Sequence, residues 1–377
     1  MREGIRNQVG VGCVVILLSG QAAAAQPALH PIVPAVSYGV SKAESISADG
    51  RVVVGFATMP GGRRRAFRWE VGGSMTDLGV LPDYVESFAE DVNADGSVVV
   101  GYCNPSGGQL AFRWTAESGM QELVSGSAGG QAHGVNGDGS VVVGWATFPF
   151  AGKRWNVGGE TEVLAPLPGG TQAFAKAVTP DGRFTVGYDP SVANDRAVRW
   201  GADGIAENLG VLPNRIRSYG FSLSSDGSAV VGYCVGGGDW IGFRWTEDAG
   251  MTSVGLLEGA TGSIATDISG DGGSVVGFSD FAGERRAFLH NADIGLVDLN
   301  EWLPSVGVDL SGWLLNEATT VNADGTSIAG YGLYEGAQRA WVVSGIPAPG
   351  SAIAFGVFAA VVSIRRRSRA TYTRSYN

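Results

Sequence analysis

The segment Asp91-Val92-Asn93-Ala94-Asp95-Gly96 is followed by the run Val98-Val99-Val100-Gly101 and then by the aromatic segment Ala111-Phe112-Arg113-Trp114. This three-part pattern recurs seven times, with variations, along the 377-residue chain. The aspartates of the recurring Asp-Gly pair are Asp49, Asp95, Asp138, Asp181, Asp226, Asp271 and Asp324, and the steps between them are 46, 43, 43, 45, 45 and 53 residues. A period this regular indicates a repeat architecture.

Each repeat contains segments that are typical of short antiparallel strands. The valine runs are apolar at consecutive positions, as expected for a strand that is covered on both faces. We expect the glycine that ends each run, such as Gly55 or Gly101, to supply the φ > 0 turn of a hairpin. The aromatic segment forms a further strand, and a fourth follows in six repeats, as in Met75 to Leu81. Four strands in ~45 residues make one blade of a β-propeller.

The seventh repeat has no fourth strand, because Ala340 to Val343 leads directly into the C-terminal tail. Ile32 to Val36 precedes the first repeat, and we expect it to fill the gap and close the ring, since an open array leaves strand edges exposed. The sequence therefore predicts an all-β fold, a seven-bladed β-propeller over residues 26–343. An open β-solenoid is the alternative.

Residues 1–25 have the pattern of a secretory signal peptide. Arg2 and Arg6 precede an apolar run from Val9 to Leu18, and Ala23-Ala24-Ala25 offers small residues for cleavage before Gln26. A buried strand is the alternative interpretation. The order of charge, apolar run and small residues favours export.

Residues 344–377 form a tail of three parts: the motif Pro347-Ala348-Pro349-Gly350, fourteen mostly apolar residues from Ser351 to Ile364, and Arg365-Arg366-Arg367. Fourteen helical residues rise about 21 Å, which is short of the roughly 30 Å of a bilayer core. We therefore expect transient or permanent membrane contact through residues 346–364. The arginines should keep the last residues on the cytoplasmic side.

This tail resembles the PEP-CTERM sorting signals of Gram-negative bacteria in their Pro-Ala-Pro-Gly variant. Ala348 stands where the name-giving motif has glutamate, and thirteen residues follow Ile364. The resemblance implies that an exosortase-type membrane enzyme recognises the protein as a partner. An ordinary membrane anchor is the alternative.

The repeats resemble the HAF repeat of extracellular bacterial proteins. The likeness covers residues 43 to 343 and lies in the Leu-Gly-x-Leu-Pro element (Leu78 to Pro82, Leu209 to Pro213), the Asp-Gly hairpin and the Ala-Phe-Arg-Trp strand. None of the seven repeats keeps the histidine of the name. The resemblance implies an extracellular location and little about activity.

The charge distribution argues against nucleic acid as a partner. The net charge is −10, but the first six residues carry +1 and the five arginines after Ile364 carry +5, which leaves −16 for the span between them. An acidic body repels phosphate backbones.

The composition also excludes a disordered chain, since the sequence has sixty glycines, 44% hydrophobic residues and only 16% charged residues.

Cysteine and calcium are two candidates for chemistry. Cys103 and Cys234 occupy equivalent positions three blades apart, farther than the roughly 7 Å between Cα atoms that a disulfide allows, so we expect two buried, unpaired thiols. Asp91, Asn93 and Asp95 match the first half of a calcium loop, but Tyr102 replaces the bidentate glutamate at its end. The sequence therefore favours a backbone turn over a metal site.

The long connection from Asn300 to Leu315 produces the 53-residue step and contains Trp302, Asp309 and Trp313. These three residues are a candidate ligand loop, because tryptophan rings can stack on a sugar and loops carry function in such folds. A cap over the channel is the alternative role.

The sequence thus indicates a non-enzymatic binding or structural module that is exported to the cell envelope, the cell surface or the extracellular matrix. Extracellular polysaccharide or another surface protein is the expected partner, and no cofactor is expected. The alternative is a secreted propeller enzyme, a polysaccharide hydrolase or lyase. His30, His133 and His290 are dispersed and suggest no triad, so such an enzyme needs carboxylates that converge at one end of the channel.

Overall fold

The structure, a computed structural model, describes residues 26–33, 39–104, 108–123, 129–147, 150–158, 160–191 and 193–348. The predicted signal peptide and the tail from Pro349 onward lie outside the described residues.

The strands follow one another as blades. Before the first blade comes β1 (Ala28–Ile32). Blade 1 contains β2 (Ser41–Ile46), β3 (Val52–Thr58), β4 (Arg64–Glu70) and β5 (Met75–Asp77). Blade 2 contains β6 (Glu86–Val92), β7 (Val98–Asn104), β8 (Leu110–Thr115) and β9 (Gly119–Glu122). Blade 3 contains β10 (Gly130–Val135), β11 (Val141–Ala146), β12 (Ala151–Asn156) and β13 (Thr161–Val163). Blade 4 contains β14 (Phe174–Val178), β15 (Thr185–Asp189), β16 (Arg196–Trp200) and β17 (Ala206–Asn208). Blade 5 contains β18 (Arg217–Leu223), β19 (Ala229–Gly236), β20 (Asp239–Thr246) and β21 (Gly250–Ser253). Blade 6 contains β22 (Gly262–Ile268), β23 (Ser274–Phe281), β24 (Glu284–Asn291) and β25 (Gly295–Asp298), and is followed by α1 (Leu299–Ser305). Blade 7 contains β26 (Trp313–Val321), β27 (Ser327–Tyr334) and β28 (Ala337–Ser344).

The seven sheets form a closed ring. Within each blade the strands pair antiparallel in chain order, and the first strand of every blade contacts the first strand of the next, including β26 with β2. The first strands therefore surround the propeller axis, and the outer strands lie at the rim. The predicted seven-bladed β-propeller is confirmed, and the open solenoid is excluded.

The ring is closed by β1, which pairs with β28 from Ala28 opposite Ser344 to Ile32 opposite Ala340. A closing strand was predicted, but its bounds were wrong: Ala28–Ile32 forms it, not Ile32 to Val36. The Ser41 hydroxyl fixes this register, because it accepts from the Ala340 N–H at 2.9 Å and donates to the Ile32 carbonyl at 2.7 Å.

The valine runs form the interfaces between blades. Val53 and Val54 are completely buried; Val53 packs with blade 7, whereas Val54 packs with blade 2. Consecutive side chains of a strand point to opposite faces, so a central strand between two neighbouring blades needs apolar residues at every position. This explains the uninterrupted apolar runs that the sequence shows.

The Asp-Gly hairpins are joined to one another around one end of the axis. The backbone N–H before each aspartate donates to the equivalent carbonyl of the next blade at 2.9–3.3 Å, as from Ala48 to Ala94 and from Gly137 to Pro180. Six blades make this bond. The fourth blade cannot, because Pro180 has no N–H. The Asp-Gly glycines carry the positive φ, between 71° and 75°.

The arginine of the Phe-Arg-Trp segment also joins blades. Arg68 donates to the carbonyl of Gly96, and Arg154 donates to that of Gly182, at 2.8 and 2.6 Å. Blades 2, 4 and 5 repeat this contact. In these five blades the arginine therefore forms a hydrogen bond to the next blade and is not free to bind a ligand.

The glycine that ends each valine run has a different role from the predicted turn. Gly101 lies in the middle of β7, opposite Ala89, and the register of β6 shifts there because the strand contains a β-bulge at Glu90. A Cβ atom on Gly101 would lie 2.0 Å from the carbonyl oxygen of Phe88. The glycine is therefore required by the close approach of the bulged strand and not by a φ > 0 turn, so that prediction was wrong.

We predict that Gly101→Ala destabilises the protein by about 2–4 kcal/mol, because the added methyl group meets fixed backbone. Gly158→Ala is the control: no atom lies within 4 Å of a Cβ at that position, and its effect should stay within about 0.5 kcal/mol. Denaturant unfolding of both purified variants measures the difference. Equal unfolding midpoints would contradict this account of the glycine.

Candidate functional site

In every blade, the bulge five residues before the Asp-Gly aspartate directs one side chain to the propeller axis. Blade 7 has a second bulge, at Asn316, whose side chain donates instead to the Arg285 carbonyl. The seven residues of this bulge ring are Glu44, Glu90, His133, Lys176, Phe221, Thr266 and Thr319. A bulged residue has no partner on the neighbouring strand, so its side chain is free to turn away from the sheet. Side chains from neighbouring blades meet there, since His133 lies within hydrogen-bonding distance of both Glu90 and Lys176.

The charged members of the bulge ring form two connected groups. The Lys42 ammonium lies 3.0 Å from a Glu44 carboxylate oxygen. His133 Nδ1 lies 3.2 Å from Glu90 Oε2, and its Nε2 lies 3.4 Å from Lys176 Nζ. An ammonium only donates and a carboxylate only accepts, so His133 fits as a neutral ring that donates from Nδ1 and accepts at Nε2. Side chains from blades 2, 3 and 4 thus form one hydrogen-bonded chain.

Water reaches this network, although it lies inside the ring. The exposed fractions of the Lys42, Glu44 and Glu90 side chains are 24%, 19% and 25%. His133 is more deeply enclosed, with a side-chain exposure of 7%. The groups are therefore accessible to a small polar ligand. The surrounding protein is also close enough to shift their pKa values.

The pKa values of these groups move in opposite directions. Burial raises the pKa of Glu44 to about 7, although the Lys42 ammonium opposes the change. Burial also acts to raise the pKa of Glu90, but the hydrogen bond with His133 and the charge of Lys176 outweigh it, and the pKa lies below its usual value. Burial lowers the pKa of His133 and of Lys176. At neutral pH, Glu90 is ionised, His133 is neutral and Glu44 is near its midpoint.

The channel wall in blade 7, where the Tyr331 ring centroid lies 5.2 Å from the Lys42 ammonium, is also polar. Glu317 accepts from Arg285 Nη1 at 3.0 Å and from the Tyr331 hydroxyl at 2.9 Å. The hydroxyls of Thr266 and Thr319 donate to inner-strand carbonyls of the following blade, Ala318 and Ala43. These threonines link blades, and they place no charge in the channel.

A collar of aromatic rings lies at the end of the channel where the inner strands begin. Every blade contributes the residue after its bulge-facing glycine: Phe56, Tyr102, Trp145, Tyr188, Tyr233, Phe278 and Tyr331. Six of the seven rings are half-buried, and Phe278 is buried. Each ring stands on the second strand, opposite the residue two positions before the bulge. The collar therefore lies nearer the channel mouth than the bulge ring does.

Blades 3 to 5 extend this collar into an aromatic arc, the rings of Phe150, Trp145, Phe174, Tyr188, Tyr219, Tyr233 and Phe221. Neighbouring rings in the arc have centroids 4.9–6.1 Å apart. Phe150 is 39% exposed and forms the end of the arc that faces solvent. The arc is a continuous apolar surface beside the charged layer that contains His133 and Lys176.

The predicted ligand loop does not gather into one site. Trp302 is buried in α1 and belongs to the hydrophobic cluster between blades 6 and 7, with Leu299 and Leu303. Trp313 packs against Tyr334 in blade 7, with ring centroids 4.9 Å apart. The exposed carboxylate of Asp309 accepts from the N–H and hydroxyl of Ser311.

A pocket of about 480 Å³ lies beside α1, and Trp302 lines it together with Arg286, Asp298 and Glu301. Neither Asp309 nor Trp313 reaches it. The connection therefore serves the interface of blades 6 and 7.

Asp91, Asn93 and Asp95 face different surroundings. Asp91 accepts from the Ser45 hydroxyl at 2.6 Å and from the Val135 N–H at 2.8 Å, so it joins blades 1, 2 and 3. Asp95 lies at the turn and accepts from Ser97. In the described residues, no group of three or more His, Cys, Asp or Glu side chains is placed to hold a metal ion.

Cys103 and Cys234 are buried and unpaired in blades 2 and 5, as predicted. Each thiol lies within 3.5 Å of a backbone N–H, of Leu81 and Leu212 respectively. Burial raises the pKa of both thiols to about 11. They are packing residues without nucleophilic character at neutral pH.

Of the predicted sorting motif, the structure describes only Pro347 and Ala348. They follow Ile346, which is buried and donates its N–H to the Thr326 carbonyl at 2.9 Å. The folded body thus reaches three residues beyond the predicted boundary at 343. Pro349, Gly350 and the arginines lie outside the described residues. No helix in the described part of the chain is long and apolar enough to cross a membrane.

No family model matches this chain, and no curated protein matches it in sequence. Solved structures share its fold. An oligogalacturonate lyase from Vibrio parahaemolyticus matches with a TM-score of 0.56 and 11% identity over 85% of this chain and 97% of that one. An oligogalacturonate lyase in complex with manganese gives 0.56 and 11% over 82% and 90%. A prolyl endopeptidase gives 0.54 and 11% over 83% and 51%. At these identities the likeness shows the propeller fold alone, and the resemblance to HAF repeats stays a prediction.

We predict that Glu44→Gln flattens the pH dependence of stability. The raised pKa means that folded Glu44 keeps its proton between about pH 4.5 and 7, where the unfolded chain loses it, so the wild type should lose unfolding free energy as the pH rises through this window. The difference between wild type and variant should change by about 2 kcal/mol between pH 5 and 8. Urea unfolding across this range measures it, and parallel curves would contradict the assignment.

Calcium should leave the melting midpoint unchanged. Both carboxylate oxygens of Asp91 already accept internal hydrogen bonds, and Asp95 points to a separate turn. Thermal melts with calcium and with a chelator test this expectation. A midpoint that rises with calcium and falls again in an Asp95→Asn variant would revive the metal site.

Proposed function

We propose that the protein is an exported, non-enzymatic binding propeller of the cell envelope or extracellular matrix, and that it binds its ligand at the aromatic end of the channel. The observation that carries the proposal is the collar of seven rings, six of them half-buried, next to charged side chains that water reaches. Half-exposed aromatic rings beside a few polar groups are the usual composition of a ligand site. The opposite end of the channel is bordered by the bonded Asp-Gly hairpins.

A binding role suits the charged groups better than catalysis does. The carboxylates of Glu44, Glu90 and Glu317 each have a partner within 3.2 Å, namely Lys42, His133 and Arg285. These contacts hold the three carboxylates in place along the channel wall. General acid–base catalysis instead needs a carboxyl group that is free to exchange a proton with substrate.

A secreted enzyme that acts on polysaccharide is the second candidate, and one observation favours it. Carboxylates do converge on the channel, and the pKa of Glu44 is raised to about 7, in the range of a general acid. Incubation with polysaccharides and assay of newly formed chain ends separates the two candidates. Release of chain ends that is lost in Glu44→Gln would replace the binding role by an enzymatic one.

Export and sorting rest on the two ends of the sequence. The signal-peptide pattern of residues 1–25 supports export, and the Pro-Ala-Pro-Gly motif with its apolar segment and arginines supports recognition by an exosortase-type enzyme. The fold is compatible with a location outside the cytoplasm. Its two free thiols, Cys103 and Cys234, are buried, and the described residues hold together without a disulfide.

We predict that the native protein leaves the cytoplasm, begins at Gln26 and lacks Arg365 to Asn377. Cell fractionation followed by intact mass measurement checks all three points. A Pro349→Ala, Gly350→Ala double variant should be exported but should retain its tail, because only the sorting motif is changed. A wild-type mass that includes Arg365 to Asn377 would overturn the sorting proposal, and a cytoplasmic protein would overturn export.

A further inference from the structure

Lys176 has hydrogen-bonding capacity that the protein does not use. Its ammonium has three N–H donors, and its only hydrogen bond among the described residues is the 3.4 Å contact to His133 Nε2. Lys176 is half-buried, and desolvation by the surrounding protein lowers its pKa. An enclosed cation with unused donors is costly unless an acceptor reaches it.

Acceptors are also available in the same layer. Glu90 uses Oε2 for His133, and Glu44 uses Oε1 for Lys42, so each carboxylate has a second oxygen without a hydrogen bond in the described structure. Gln131 accepts from the Trp145 indole at 3.2 Å through Oε1, which leaves its amide N–H groups as donors. A ligand here meets donors and acceptors side by side.

Cationic and acidic side chains occur in equal number in the channel, and Glu44 is only partly ionised at neutral pH. Lys42, Lys176 and Arg285 face Glu44, Glu90 and Glu317, while His133 is neutral. A strongly anionic ligand would approach three carboxylates, and a cationic one would approach three cations. An uncharged ligand with many hydroxyl groups avoids both penalties, because a hydroxyl donates and accepts.

The aromatic arc supplies the remaining part of the site. Trp145 and Phe174 lie one layer outside His133 and Lys176, and Phe150 covers both with centroid distances of 5.1 and 5.2 Å. The C–H face of a sugar ring is apolar and flat, so it packs on such rings while its hydroxyl groups remain free to form hydrogen bonds.

We propose that the channel mouth at blades 3 and 4 binds an uncharged sugar unit of a polysaccharide, stacked on the aromatic arc and hydrogen-bonded by Lys176, Gln131 and Glu90. The inference rests on the proposed binding function and names its ligand class. It assigns Lys176 and Phe150 as contact residues. The charged layer orients the sugar, and the arc provides most of the buried apolar area.

The test uses the purified full chain and two sets of probes: neutral oligosaccharides of the gluco, manno, galacto and xylo series, and acidic oligosaccharides rich in uronic acid. Binding is screened on an array and measured by calorimetry for the best probe. At least one neutral series should bind. Lys176→Met should lower the affinity about tenfold, because a charged donor to the sugar is lost, and Phe150→Ala about fivefold, because a stacking surface is lost.

Two matched variants control for indirect effects. Arg183→Met removes an exposed cation at the Asp-Gly hairpin of blade 4, and Val163→Ala shortens an exposed side chain on the outer strand of blade 3; both should bind like the wild type. Phe150 is exposed, so its variant should melt like the wild type even if Lys176→Met is less stable.

Three results would overturn the inference: binding confined to acidic probes, silence with both sets, or unchanged affinity in both contact variants. The first leaves the proposed binding function standing and changes its ligand. Silence together with binding to a surface protein also leaves that function standing, whereas a cytoplasmic location removes it independently of any sugar.

Discussion

The inner strand of every blade bulges at the same place, five residues before the aspartate of its Asp-Gly pair, and these seven equivalent bulges determine the rest of the molecule. Each bulge brings a carbonyl oxygen to 1.8–2.0 Å from the place where a Cβ atom would stand on the second strand. Only glycine fits there, which is why the valine run ends in glycine in so many repeats. The same bulge frees one side chain per blade from pairing and turns it toward the axis.

The scaffold leaves these axial positions free to differ. Interblade cohesion comes from the apolar second strands, the Asp-Gly backbone bonds and the arginines that reach the next hairpin. Asp91 and Asp267 are half-buried, and each accepts hydrogen bonds from both neighbouring blades. None of these interactions needs the bulged side chain, although Thr266 and Thr319 add interblade hydrogen bonds of their own. Glutamate, histidine, lysine, phenylalanine and threonine therefore all occur at equivalent places without opening the ring.

Much of the fold follows from the sequence, because a 43–46-residue period with Asp-Gly turns and apolar runs has few solutions. The closing strand was harder to place. Both Ala28–Ile32 and the residues after it are apolar enough for an edge strand, and only the Ser41 hydroxyl, which bridges Ala340 and Ile32, selects the register. That contact joins positions 299 residues apart, so no local pattern reveals it.

The channel could have been found in the sequence by a different comparison. Each bulged residue stands five positions before the aspartate of its Asp-Gly pair, and each collar ring stands seven positions after it, as Glu44 and Phe56 do around Asp49. The bulged position varies in chemistry while the positions around it repeat, and the collar position is aromatic in all seven repeats. The tryptophans of the long connection break the period of the repeat, yet they pack in the core between blades 6 and 7. In a closed ring of equal units, residues at the same phase lie at the same radius. Variable positions on the inner strands therefore converge on the axis, whereas an insertion lies at one blade only. The phase of a residue within the repeat is therefore a better guide to the site than its departure from the repeat.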